Sequence, residues 1–293
     1  MSWVIWALLS SLFAAVLAES NKKYRLDAQM LNAWRSTFGA LLFSAAFPFM
    51  IWPSISENIG FYVVAALSGI VSGGGMVMFF WLAARRTGRV TSMVLPLAAI
   101  GSYVLWWLMM PEERPVLTES PFKILLAIIS ALTICLALQK VRENDAGWES
   151  FMIVLPLGLA LGAVDALTKW AMGGAYNIYA LAVAFSFLSM VVTAGVAWIA
   201  AIPVPAGGRP MKFTDLRLLW GGFWCGFWSA ARFLAGVFAL SGAPNPTLPG
   251  IFLALTPMWL YGLNYLRREP DESAPIPGFL IMLGAVGLLL STL

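Results

Sequence analysis

LGAVDALTK, residues 161–169, sits inside a long apolar run and matches FAAVLAESNKK, residues 13–23, with a register that slips by one residue. Both stretches pass from small residues and Val through an acidic group to a closing lysine. One lies in the first helix-length apolar run and the other in the sixth, so the chain reads as two halves of five runs each. The order of other features agrees. Gly69, Gly73, Gly74 and Gly75 in the third run answer Gly221, Gly222 and Gly226 in the eighth. The fourth run ends in Glu112-Glu113-Arg114-Pro115 and the ninth in Arg267-Arg268-Glu269-Pro270. A unit with an odd number of spans must insert its second copy upside down, which is a transporter architecture with its site near the midplane.

Composition sets the solvent. Of 293 residues, 60% are hydrophobic and 11% charged, under half the roughly 25% charge of soluble domains. Mean hydropathy is +0.83. A water-facing enzyme is excluded on these grounds, and a polytopic membrane protein is expected. There are no histidines, which removes the usual general base and imidazole metal ligand. Cys135 and Cys225 lie in apolar runs and read as small hydrophobes, with no disulfide framework, metal site or cofactor in view. The net charge of +4 forms no basic stripe, so no nucleic acid is expected. The first apolar run carries neither a basic leader nor a small-residue cleavage site, so it reads as a retained helix.

Runs of about 20 apolar residues fall at Ser2–Ala18, Leu31–Trp52, Gly60–Ala84, Val90–Met110, Pro121–Gln139, Phe151–Met172, Ile178–Ile202, Leu218–Leu240, Thr247–Leu266 and Pro275–Leu293. The expected fold is therefore all-α, ten transmembrane helices in two inverted five-helix repeats, residues 1–146 and 147–293. The loops between runs are too short to hold a domain, so function must lie within the helices. Loops on one side hold Lys22, Lys23, Arg25, Arg85, Arg86, Arg89, Lys140, Arg142, Arg209, Lys212, Arg217, Arg267 and Arg268, whereas the side of the termini holds Arg114 and Lys123. The positive-inside rule then puts both termini outside the cytoplasm.

Ionisable groups within spans are costly and mark function by default. At 1.5 Å rise per residue, Asp165 lies about 5 Å past the middle of the sixth span. Arg232 lies about 4–5 Å past the middle of the eighth, in the same direction. Lys169 follows Asp165 by one turn, on the same helix face. These three are expected to form the polar centre of a substrate cavity, with Asp165 also a candidate proton acceptor. The competing reading is an ion pair that locks helices together, a poor source of stability. Arg35 and Glu19 lie nearer the basic side, where their side chains can snorkel to the headgroups; Glu19 stays a second proton-coupling candidate. Trp220, Trp224, Trp228 and Arg232 recur every fourth residue on the eighth span. Trp224 and Trp228 are too deep for an interfacial belt and, with Tyr103 of the fourth span, are candidates to wall the cavity and stack on a ligand. Pro96 and Pro257 are expected to kink their helices.

Over nearly its whole length the chain resembles the drug/metabolite transporter superfamily, of the ten-helix EamA type. The resemblance rests on LNAWRSTFGALLFS (31–44), GRVTSMVLPLAAIGSYVLWWLMMPEERP (88–115) and PTLPGIFLALTPMWLYGLNYLRREP (246–270). In that family an acidic residue ends the fourth helix of each repeat, here Glu112 or Glu113 and Glu269, and a lysine often closes the first, here Lys22 and Lys169. FAAVLAESNKKYR followed by LNAWRS is similar to the rhamnose–proton symporter branch. The resemblance implies a non-enzymatic secondary transporter of the bacterial inner membrane, working by alternating access as a monomer or homodimer. Its expected partners are a small solute, protons and membrane lipid. A small polar or zwitterionic metabolite, amino acid-like, is the first expectation for the solute. The alternatives are a sugar or other neutral or cationic solute, or a structural or lipid-handling membrane protein. Typical bacterial members keep both termini in the cytoplasm, the opposite of what the basic loops imply here.

Overall fold

The structure is a computed structural model that describes residues 2–24, 28–85, 94–110, 120–142, 148–173, 177–201, 215–253 and 255–267, with scattered positions from 280 to 291. The loop residues Arg25, Arg86, Arg89, Arg114, Arg209, Lys212 and Arg268, the helix-end acids Glu112, Glu113 and Glu269, and most of the tenth expected span lie outside the described residues. Within them the chain is all helical: α1 Ser2–Tyr24, α2 Ala28–Ser44, α3 Ile59–Arg85, α4 Val94–Met109, α5 Pro121–Arg142, α6 Trp148–Ala171, α7 Ile178–Ala201, α8 Leu216–Gly242, α9 Thr247–Leu253 and α10 Thr256–Arg267. Four stretches, Ser2–Ser20 of α1, Ile59–Met76 of α3, α7 and α8, are long and apolar enough to cross a membrane. Large apolar side chains such as Ile70, Leu125, Leu132 and Ile199 are half or more exposed. An exterior of that kind suits lipid better than water.

Helices follow from this composition because a backbone in an apolar medium must satisfy its own hydrogen bonds. Two of the expected runs are interrupted, and proline is near each interruption. The second run was expected to reach Trp52, but α2 stops at Ser44 and Phe47–Phe49 form a 3-10 turn with Pro48 inside it. The ninth run is broken into α9 and α10. Pro257 has no N–H to offer the carbonyl of Leu253, and that carbonyl accepts instead from Thr256 Oγ1 at 2.6 Å. Pro96 is the third described residue of α4, and the residues ahead of Val94 lie outside the described ones, as does any test of the kink expected there. Pro156 lies within α6.

Glycines set how closely the helices approach. A Cβ on Gly69 would meet Ser189 O and Val192 Cβ at 2.6 Å. One on Gly73 would meet Val196 Cβ at 2.9 Å and Thr193 O at 3.2 Å, so α3 packs backbone-close on α7. The α2·α8 contact has the same form: a Cβ on Gly226 would meet Arg35 O at 2.7 Å and Phe38 Cβ at 2.8 Å. Gly162 lets α6 press on Ala98 and Ser102 of α4. Hydroxyls tie these seams, with Ser189 Oγ to Ser68 Oγ at 3.2 Å and Thr193 Oγ1 to Gly69 O at 3.2 Å.

The most extensive helix pairings follow one rule. Replacing each helix by the one five places along, with α9 and α10 counted as one span, turns α3·α7 into α8·α2 and α4·α6 into α9·α1. It also turns α1·α8 into α6·α3, and leaves α2·α7 and α4·α9 as they are. One apolar core gathers Phe61 of α3, Leu181 and Phe185 of α7 and Val237 of α8. A second, around Leu17, Leu31, Leu218 and Cys225, sits toward the opposite ends of α1, α2 and α8.

Candidate functional site

A cavity of about 130 Å³ opens between α1, α3, α6, α7, α8 and α9. Its wall is mostly apolar, from Ala7, Leu161, Val164, Phe185, Phe233 and Leu240. Asp165 from α6 and Arg232 from α8 face it, the two residues that depth arithmetic on the sequence puts at one level. Among the described residues no ion pair within 4.0 Å joins them. The cavity wall thus carries a carboxylate and a guanidinium from different helices that are not joined in an ion pair. Pockets for drug-sized ligands run to about 300–1,000 Å³, so this one suits a much smaller molecule.

The remaining polar wall is hydroxyl: Ser10, Ser68, Ser72 and Thr168. Ser10 Oγ donates to the carbonyl of Arg232 at 3.1 Å, which anchors α8 to α1 beside the guanidinium. These hydroxyls were not singled out from the sequence. A serine in an apolar span is usually a packing residue, and only the convergence of separate helices shows otherwise. Pro249, Gly250 and Leu253 bring the short helix α9, just ahead of the break, into the wall. Pro249 was the available signal, since two prolines within nine residues of one apolar run invite an interruption.

Lys169, one turn beyond Asp165, does not line this cavity. Its Nζ donates to the carbonyls of Ser241 at 3.1 Å and Ala243 at 2.5 Å. Those oxygens close the C-terminal end of α8, where a cation complements the helix dipole. Trp224 belongs to a ladder of edge contacts with Trp220, Phe223 and Phe227. Trp228 packs on Phe13 and Phe227 and on the apolar group around Cys225. Tyr103 is 36% exposed on the outside of α4. Glu19 is half-buried near the end of α1 and, like these aromatics, is not part of the cavity wall.

Arg35 departs from the snorkelling expected of it. It is only 4% exposed, held in the α2·α8 seam with its Nη2 donating to Asn32 Oδ1 at 2.6 Å. Its Nε and the Nδ2 of Asn32 are buried donors with no partner among the described residues. No group of three or more metal-ligating side chains occurs among the described residues.

No protein-family model and no curated protein matches the chain. A solved structure, described only as the crystal structure of a protein, matches 99% of this chain over 97% of its own length, with a TM-score of 0.69 and 14% identity. Identity that low establishes a shared fold and leaves the chemistry to the residues themselves.

Proposed function

We propose that this chain is a secondary transporter of the EamA-type drug/metabolite kind, carrying a small polar or zwitterionic metabolite, amino acid-like, by alternating access. The observation that carries this reading is the pair Asp165 and Arg232, facing one small cavity between helices without closing on each other. Opposite charges left apart in a mostly apolar chamber suit a molecule that carries both signs, with Arg232 on its carboxylate and Asp165 on its ammonium or exchanging a proton. The five-place exchange of helix pairs supports two inverted halves, residues 1–146 and 147–293, of a ten-span chain. The broken ninth span beside the cavity supports a transporter, since such interruptions recur at transporter sites. Residence in a bacterial inner membrane, with both termini outside, rests on the apolar exterior and the basic loops.

Transport into proteoliposomes tests the site. Asp165→Asn and Arg232→Ala should each lower uptake or exchange of the true solute at least about tenfold, the loss expected when one charged contact goes. Undiminished transport in both variants would sink this assignment. A sugar or other neutral solute is the second reading, favoured by the hydroxyls of Ser10, Ser68, Ser72 and Thr168. A thermal-shift screen over amino acids, sugars and amines separates the two, because a ligand of the folded state raises its melting point.

A further inference from the structure

Glycines in α3 and α8 serve two different ends. At Gly69, Gly73, Gly222 and Gly226 an added Cβ would come within 3.0 Å of a neighbouring helix, so the absent side chain is what lets two helices close. Gly236, in the interior of α8, is not of that kind. An added Cβ there would have one neighbour within 4 Å among the described residues outside its own turn of helix, Ser10 Oγ at 3.4 Å. That is an ordinary van der Waals distance, and Gly236 and Ser10 both line the cavity. A glycine inside a helix costs stability relative to alanine. Close packing offsets that cost at the other four positions and does not at Gly236, where the missing side chain leaves space in the cavity instead. Gly236 also follows Arg232 by one turn on the same helix face. Ser10 Oγ, which donates to the Arg232 carbonyl at 3.1 Å, holds α1 against that turn.

We propose that Gly236 is a specificity-determining residue: the space left by its missing side chain takes the part of the solute that extends from the group held by Arg232, and so sets the largest solute accepted. This rests on the transporter reading above and adds an upper size to the solutes it allows. A methyl group at Gly236 would fill about the space of one water molecule, roughly 30 Å³, in a cavity of about 130 Å³. One methylene more or less in an apolar pocket changes discrimination by about 10–200-fold, so the effect is large enough to measure.

The test uses the full chain purified in detergent and two graded series of probes: glycine, alanine, valine and leucine, and, for a neutral solute, glycerol, erythritol and xylitol. The rise of melting temperature with the logarithm of concentration gives an affinity for each. In Gly236→Ala the smallest probe that binds the parent should bind nearly as before, and the largest should weaken at least about tenfold. With no probe present, Gly236→Ala should melt at or above the parent temperature, because alanine is the better helix former and has room. A shift confined to the neutral series keeps the size limit and replaces the zwitterion by a neutral solute. A lower melting temperature would make Gly236 one more packing glycine and overturn the proposal. Equal weakening of every probe, an unchanged ranking, or a parent that binds only the smallest member of a series overturns it too, and leaves the transporter reading standing. A parent that responds to no probe overturns both.

Discussion

Two residues one turn apart on α6 illustrate what a residue's surroundings add to its identity. Asp165 and Lys169 share a helix face, and sequence spacing alone recommends both for one site. In the folded chain Asp165 reaches the cavity while Lys169 Nζ crosses to the carbonyls of Ser241 and Ala243. The depth match of Asp165 with Arg232 was legible because rise per residue is fixed. The role of Lys169 was not, because it depends on where α8 ends in space. Removing the amine should therefore act on stability more than on the solute. Lys169→Met is expected to lower unfolding stability by about 1–2 kcal/mol through lost hydrogen bonds to helix-end carbonyls. Its solute affinity should stay within about threefold of the parent. Thermal unfolding with and without the solute measures both. A large loss of affinity with unchanged stability would restore Lys169 to the site.

At the scale of elements, glycine positions decide the packing. Gly226 sits where a Cβ would strike Arg35 O and Phe38 Cβ, whereas at Gly74 a Cβ would meet nothing within 4 Å. Gly226→Ala should destabilise the chain by about 1–3 kcal/mol, as overpacking does. Gly74→Ala should be neutral or stabilising by about 0.5–1 kcal/mol, because it only restricts the unfolded chain. Melting temperatures of the two variants, made side by side, check the contrast. The glycine-rich third and eighth runs were visible in the sequence as surfaces for close packing, but not their partners. Pairing α3 with α7 and α8 with α2 depends on long-range assembly, which local pattern does not encode. The aromatic stripe of α8 shows the reverse failure. Its four-residue period is plain in the sequence, yet Trp224 and Trp228 use it to pack on neighbouring rings and apolar side chains.

For the whole molecule, composition alone predicted helices and lipid, and the described residues, all helical with an apolar exterior, agree. Hydropathy reads solvent well because it sums over many residues. It reads interruptions poorly, which is why the ninth run, continuous in apolar character, folds as two helices. Orientation is a property of the charged loops and is tested by itself. A phosphatase reporter fused after Leu293 should be active and a fluorescent reporter that folds only in the cytoplasm should be dark, as an external C-terminus requires. The opposite pair of signals would mean that the usual orientation of the resembling family prevails over thirteen basic residues on one side.

Cys225 offers a clock. Its thiol is wholly buried next to Gly226, at the seam where α8 meets α2. A small permeant thiol reagent reaches it only when those helices part. In a Cys135→Ser background the rate of labelling therefore counts openings of one seam, with no probe added to the protein. If alternating access parts α2 from α8, saturating solute will change that rate. If the motion runs through the α3·α7 seam alone, the thiol will keep the same time whether the cavity is full or empty.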